Sequence, residues 1–202
     1  MKKTIVKIIC YINLIRAIPA LVTYQLTSQK DLIDKDIVVW SKYNNISEFG
    51  VREKIIWLLV FRKEYRNLFY KRIQKQNWIL SKMLTVFFAP LDSLFIETND
   101  IGAGLYIQHG FGTVIAANKI GDNCWINQQV TIGFKNKTDS PIIGNNVRIT
   151  AGAVVIGKVN IGENSVIGAN SSVTKDIPPN CTVVGNPGYI VKKNGIKVKE
   201  YL

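Results

Sequence analysis

Apolar positions follow two different periods along this chain, and the change falls near residue 90. In the first part they recur at intervals of three and four, as in Ile5, Ile8, Ile9, Ile12 and Ile15, and again in Ile55, Leu58, Leu59, Leu68, Phe69 and Ile73. That spacing gathers side chains on one side of a helix and predicts amphipathic α-helices. Beyond residue 100 an aliphatic residue opens a unit of six. The leading positions are Ile101, Ile107, Ile120, Ile126 and Ile132, then, after an interruption, Ile143, Ile149, Val155, Ile161, Ile167 and Val173. A period of six matches neither helix nor simple strand and marks a repeated structural unit.

A parallel β-helix accounts for the six-residue period. Each hexad makes one short face and three make a turn of a triangular prism. The leading Ile or Val points inward and stacks on its counterpart one turn away, about 4.8 Å along the axis. Glycine and asparagine suit the tight corners, where a positive φ costs them little. The pattern registers Ile143 on Ile161, Ile149 on Ile167 and Val155 on Val173. The segment FKNKTDSPI (134–142) is too long for a corner and must leave the prism as a loop. The expected fold class is α+β, with a mostly helical N-terminal region followed by a C-terminal parallel β-helix.

Composition and charge narrow the choice of partner. At 202 residues and 47% hydrophobic content the chain can bury a core, and its formal net charge of +12 calls for an anionic partner. Nucleic acid, a phosphorylated cofactor and an anionic membrane surface all fit that charge. Residues 52–82 carry nine basic against two acidic side chains, a net +7. A solvated basic face and a face for anionic lipid or phosphate are equally open there. Met1-Lys2-Lys3 and the apolar run to Leu26 imitate a secretory signal, but Lys7, Asn13 and Arg16 interrupt it, and no stretch reaches the roughly 20 apolar residues of a membrane span. A core-facing helix stopped by Pro19 is preferred here over an amphipathic helix lying among headgroups with Lys2, Lys3, Lys7 and Arg16 beside it.

Titratable residues are scarce where chemistry needs them. His109 is the single histidine, so a metal site of two or three imidazoles cannot form within one chain, and an imidazole base at neutral pH can only be His109. Cys10, Cys124 and Cys181 are far apart and lack CxxC spacing, which argues against a structural zinc or a disulfide framework and for a reducing cytoplasm.

The strings IGAGLYIQHGFGTVIA (101–116), INQQVTIG (126–133), PIIGNNVRITAGAVVIGKVNIGENSVIGANSSVTKDIPPN (141–180) and VVGNPGYIV (183–191) resemble the hexapeptide-repeat acyltransferases with a left-handed β-helix. Within that family they resemble the serine acetyltransferases and their relatives in capsule and O-antigen clusters, and EYRNLFYKR (64–72) resembles the helical segment of the polysaccharide-linked members. The resemblance implies an acetyl-CoA-dependent O-acetyltransferase without a metal. It divides the chain into a basic helical region (1–92), the left-handed β-helix acyltransferase domain (93–191) and a basic tail (192–202).

By the same resemblance His109, in Ile107-Gln-His-Gly-Phe-Gly, is the general base. An alcohol attacks a thioester only as a base removes its proton. The Asp that serine acetyltransferases place about fifteen residues upstream is absent, leaving Glu97 or, second, Asp100 to orient the imidazole. Gln108 and Asp139-Ser140 stand where serine enzymes carry an Asp and an Arg-His pair, so a sugar hydroxyl is the expected acceptor, with Gln108 and Asp100 as its contacts. Serine O-acetylation is the alternative, and a trimeric membrane-docked scaffold without activity a second one. Coenzyme A is expected along Gly133, Ala151, Gly152 and Ala169, with Lys175, Lys192 and Lys193 near its phosphates. The implied assembly is a cytoplasmic homotrimer without a nucleic-acid partner, in peripheral contact with the anionic inner face of the membrane.

Overall fold

The computed structural model describes residues 3–202, so Lys2, expected beside the first helix, lies outside the described residues. The chain divides after Leu91 into two units.

The first unit is helical: α1 (Lys3–Ile12), α2 (Leu14–Leu26), α3 (Lys30–Tyr43), α4 (Val51–Phe61), α5 (Lys63–Gln74) and α6 (Trp78–Phe87). Helix α4 is its centre, with Ile55, Ile56, Leu58 and Leu59 all buried. Around it Trp40 meets Tyr65 edge-on at 5.4 Å, and Tyr65 stacks on Phe69 at 6.1 Å. Local chemistry sets the breaks. Asn77 caps α6 by accepting from Leu80 N at 3.0 Å, and Asn13 Nδ2 donates to Ile9 O at 3.0 Å where α1 and α2 meet at 85°.

Three expectations for this unit are corrected. Pro19 does not stop a helix but lies inside α2. The carbonyl it leaves without an amide donor is that of Ile15, a residue 82% exposed, so the missing bond falls on the solvent side of the helix. The stripe Ile5, Ile8, Ile12, Ile15 faces outward, whereas Val6, Cys10, Ala17 and Ala20 face the core, because small side chains permit close packing of α1 and α2 on α4. The basic run is also less exposed than its composition suggests. Arg66 is buried and donates to Leu59 O (2.6 Å) and Val60 O (2.7 Å), satisfying carbonyls at the end of α4, and to Ala89 O (2.6 Å) beyond α6. Arg72 is paired to Asp36 of α3 through Nε to Oδ2 at 2.9 Å and Nη2 to Oδ1 at 3.2 Å, both side chains buried.

The second unit is a three-sided parallel solenoid. Its first sheet stacks β1 (Leu94–Ile96), β4 (Thr113–Ile115), β7 (Thr131–Gly133), β10 (Val154–Ile156) and β13 (Ser172–Val173). The second stacks β2 (Asp100–Ile101), β5 (Lys119–Ile120), β8 (Ile142–Ile143) and β11 (Asn160–Ile161). The third stacks β3 (Tyr106–Ile107), β6 (Trp125–Ile126), β9 (Arg148–Ile149), β12 (Val166–Ile167) and β14 (Cys181–Val184). Ile143 pairs with Ile161, Ile149 with Ile167 and Val155 with Val173, in the register the hexads require.

Corner chemistry is divided between two residue types. Asn123, Asn146, Asn164 and Asn180 take the positive-φ positions on the edge between the second and third sheets, and Asn146, Asn164 and Asn180 are linked by amide hydrogen bonds of 3.1 Å. Glycine after the leading Ile serves close stacking instead, since a Cβ on Gly121 would lie 2.7 Å from Asn145 N. The expected basic tail is structured: β15 (Tyr189–Lys193) and β16 (Ile196–Tyr201) fold back antiparallel and extend the third sheet. Three buried free thiols, Cys10, Cys124 and Cys181, complete the interior inventory.

Candidate functional site

His109 lies in the corner that carries the chain from β3 to β4. In the three following turns the same corner holds four residues between paired positions, from Ile126 to Thr131, Ile149 to Val154 and Ile167 to Ser172. From Ile107 to Val114 it holds six. The two extra residues carry the imidazole outward: His109 is exposed and left-handed at φ +54°, and Phe111 N closes a tight turn on His109 O at 2.7 Å. A non-glycine residue in that region carries about 1–2 kcal/mol of backbone strain, which the ladder on either side holds in place.

Gln108, half-buried, stays in that ladder through its N–H to Ile126 O at 2.9 Å. Its Oε1 accepts from Asn127 Nδ2 at 3.0 Å, and Asn127 Oδ1 accepts from Trp125 Nε1 at 3.1 Å. Trp125 is gripped between Tyr106, edge-on at 4.7 Å, and the Arg148 guanidinium, 4.7 Å above its ring. The amide beside His109 is thus fixed by four residues that sequence reasoning had not connected to it. The signal was available, since Tyr106, Trp125 and Arg148 each precede a leading Ile.

The expected donor residues fall into separate groups. Ala151, Gly152 and Ala169 lie on the edge that holds His109, and Asn170 N donates to Ala151 O at 2.9 Å. Gly152 is fixed as glycine by φ +70° and by Asn170 Oδ1, which would sit 2.2 Å from a Cβ. Gly133, the last residue of β7, and the exposed Lys175, just past β13, lie at the next edge. A Cβ on Gly133 would meet only Thr131 Cγ2, at 3.9 Å. Lys192 is exposed on β15, and Lys193 is paired with Glu200 at 3.1 Å. The loop over 134–141 is braced internally: Asn136 Oδ1 accepts from Thr138 N (3.0 Å) and Asp139 N (2.9 Å), while Asn136 Nδ2 donates to Asp139 Oδ2 at 2.7 Å. Ser140, at its base, is buried.

Neither carboxylate expected to orient the imidazole reaches it within the chain. Glu97 follows β1 at the far end of the first sheet, its N–H on Ile115 O at 2.9 Å, and Asp100 pairs with Lys119 at 3.5 Å on the second sheet. Three-residue strands separate that edge from His109 by roughly 10 Å. The strand register instead puts Asp92 at the His109 end, two residues before β1, where Ser93 O accepts from Thr113 N at 3.2 Å. Sequence reasoning did not weigh Asp92, because it counted upstream residues without knowing where β1 begins.

Burial holds the Cys124 thiol up at about 11, above its ordinary 9.0, so it is no nucleophile at neutral pH. Among the described residues no group of three or more His, Cys, Asp or Glu side chains is arranged to hold a metal ion.

Residues 140–175 match the family described as bacterial transferase hexapeptide (six repeats). The serine acetyltransferase of Synechococcus elongatus is 46% identical over 102 residues, covering 48% of this chain and 42% of that protein. That of Staphylococcus xylosus is 41% identical over 132 residues, covering 62% and 60%. The chain spans about half the length of the relatives it matches. The crystal structure of Neisseria gonorrhoeae serine acetyltransferase (CysE) superposes with a TM-score of 0.68 at 26% identity, over 87% of this chain and 71% of that one. The helices followed by a left-handed parallel solenoid are therefore the fold of that protein. These relatives correct the expected acceptor: their names back the serine alternative over a sugar.

Proposed function

Proceeding from a hexapeptide-repeat solenoid similar to serine acetyltransferases, we propose that this chain transfers acetyl from acetyl-CoA to the hydroxyl of L-serine. The observation that carries the reading is the lengthened corner, which projects the single imidazole from an otherwise uniform prism above a strip of small residues.

His109 takes the hydroxyl proton as the oxygen attacks the thioester carbonyl, and passes it to the sulfur as the C–S bond breaks, leaving O-acetylserine and coenzyme A. A placed general base supplies about 10²- to 10⁴-fold of rate. Asp92 is the positioning residue for the imidazole in this reading. Gln108 and Asn127, neutral groups able both to donate and to accept, meet the ammonium and carboxylate of serine. The pantetheine arm runs over Ala151, Gly152 and Ala169, with Lys175 and Lys192 toward the phosphates.

Gly133 and Lys175 lie on the other edge of the first sheet, so a homotrimer completes the cleft by bringing one copy's His109 edge to its neighbour's loop over 134–141. Exposed Phe111 and Phe134 on those two edges support such a contact. Such an enzyme works in the cytoplasm, where acetyl-CoA and serine are found.

Free-thiol release from acetyl-CoA with L-serine tests the reading. Wild type should turn over, His109→Ala should lose at least about 10²-fold, and Asp92→Asn should lower kcat and move the acid limb of the pH–rate profile while leaving KM for serine unchanged. Glu97→Gln should match wild type. No serine-dependent release, or release indifferent to His109→Ala, refutes it.

A further inference from the structure

The outward faces of α1 and α2 are the least expected feature of the helical unit. Ile5, Ile8, Ile12, Ile15, Ile18 and Val22 are 45–82% exposed and continue at intervals of three and four across the bend. Two grooves flank the end of this ridge. One, of about 530 Å³, is lined by Leu21, Val22, Leu26, Val51 and Ile55. The other, of about 420 Å³, runs between Val22 and Leu26 and Pro19, Ile73 and Leu80.

Charge on the two helices of the ridge has one sign. Residues 3–26 contain Lys3, Lys7 and Arg16 and no Asp or Glu, and residues 1–91 hold +10 of the formal +12. Lys3 reaches Glu48 at 2.9 Å, with both side chains largely exposed, and Arg16 Nε donates to Phe87 O at 2.5 Å, which ties α2 to α6. Beside that tie α6 exposes Met83 and Val86, 60% and 83%. Among the described residues no single helix is long and apolar enough to cross a membrane. At about 1.5 Å per residue α1 and α2 are roughly 15 and 20 Å long, short of an apolar core about 30 Å thick.

We propose that α1 and α2 dock this chain peripherally on an anionic bilayer. The isoleucine ridge enters the boundary between headgroups and acyl chains, Lys7 and Arg16 lie at headgroup level, and the two grooves receive acyl segments. The dock does not depend on the acetyl acceptor and would bring the solenoid to a membrane whatever the solenoid acetylates.

Vesicle flotation of the full chain provides the test, using phosphatidylcholine alone and phosphatidylcholine with equal phosphatidylglycerol, at low and high salt. Binding is expected on the anionic vesicles at low salt, about tenfold or more weaker on neutral ones and weakened by salt. Ile12→Ser/Ile15→Ser removes only exposed side chains. It should lower binding about tenfold or more at an unchanged melting temperature, and Lys7→Gln about fivefold. Absence of binding at every composition overturns the proposal, as does equal binding by wild type and the serine double variant. So does a double variant that breaks up a larger assembly in sedimentation while wild type ignores vesicles, because a second copy then covers the ridge.

Discussion

Replacing His109 by glycine should leave a protein that is more stable than the alanine variant and equally inactive. The residue is exposed and its backbone carbonyl accepts from Phe111 N at 2.7 Å, so truncation removes neither burial nor that contact. What changes is the backbone term at φ +54°. An L-residue there costs about 1–2 kcal/mol, while glycine costs about 0.5–1 kcal/mol in extra unfolded-chain entropy. The difference favours His109→Gly over His109→Ala by roughly 0.5–1 kcal/mol. For a chain of this length that is about 2 °C in melting temperature. Thermal unfolding of both variants reads the stability, and thiol release from acetyl-CoA with serine reads the activity. Equal melting temperatures would refute the strain argument, and surviving turnover in either variant would remove His109 from the chemistry.

Three other predictions concern the interior. Arg72→Met leaves the Asp36 carboxylate buried without its cation and should cost about 3–5 kcal/mol, whereas adding Asp36→Leu should restore most of it; urea unfolding followed by tryptophan fluorescence reports both. Cys124, raised from 9.0 to about 11 by burial, stays neutral in the folded state where the unfolded chain ionises. Its contribution of about 3 kcal/mol is therefore complete below pH 9 and lost as pH rises from 9 to 11, a slope that Cys124→Ala should make shallower, the buried thiols of Cys10 and Cys181 supplying part of the remainder. The same burial should keep all three thiols silent in a thiol-release assay until the protein unfolds.

The solenoid was legible because its core is periodic: a leading Ile or Val every six residues admits one register, and Ile143 on Ile161 follows from spacing alone. The helical unit was legible in kind and not in orientation. Both faces of α1 carry apolar residues, and the packed one is chosen by the small Cys10, Ala17 and Ala20, a steric preference that a hydrophobic period does not record. Arg66 and Arg72 read as surface charge because their partners, the carbonyls at the end of α4 and Asp36, are brought to them by tertiary packing. At the site, motif position singled out His109, while counting residues led to Glu97, which follows β1 on another edge. The six-residue spacing fixes how the repeats stack and not where the first strand begins, so Asp92 and Asn127 became visible only once strands were assigned to sheets.

The lengthened corner implies a separation of labour that could be exploited. A repeat that specifies its own stacking tolerates a local addition, since the two extra residues between Ile107 and Val114 leave the pairing of β3 with β6 and of β4 with β7 intact. Excising two residues there should yield an inert prism with the same outline, and grafting a six-residue corner onto a lower turn would place a new functional group at a chosen height on the edge. The molecule is in this sense a ruler with a reagent at one mark, and the spacing of its turns sets where other marks could be made.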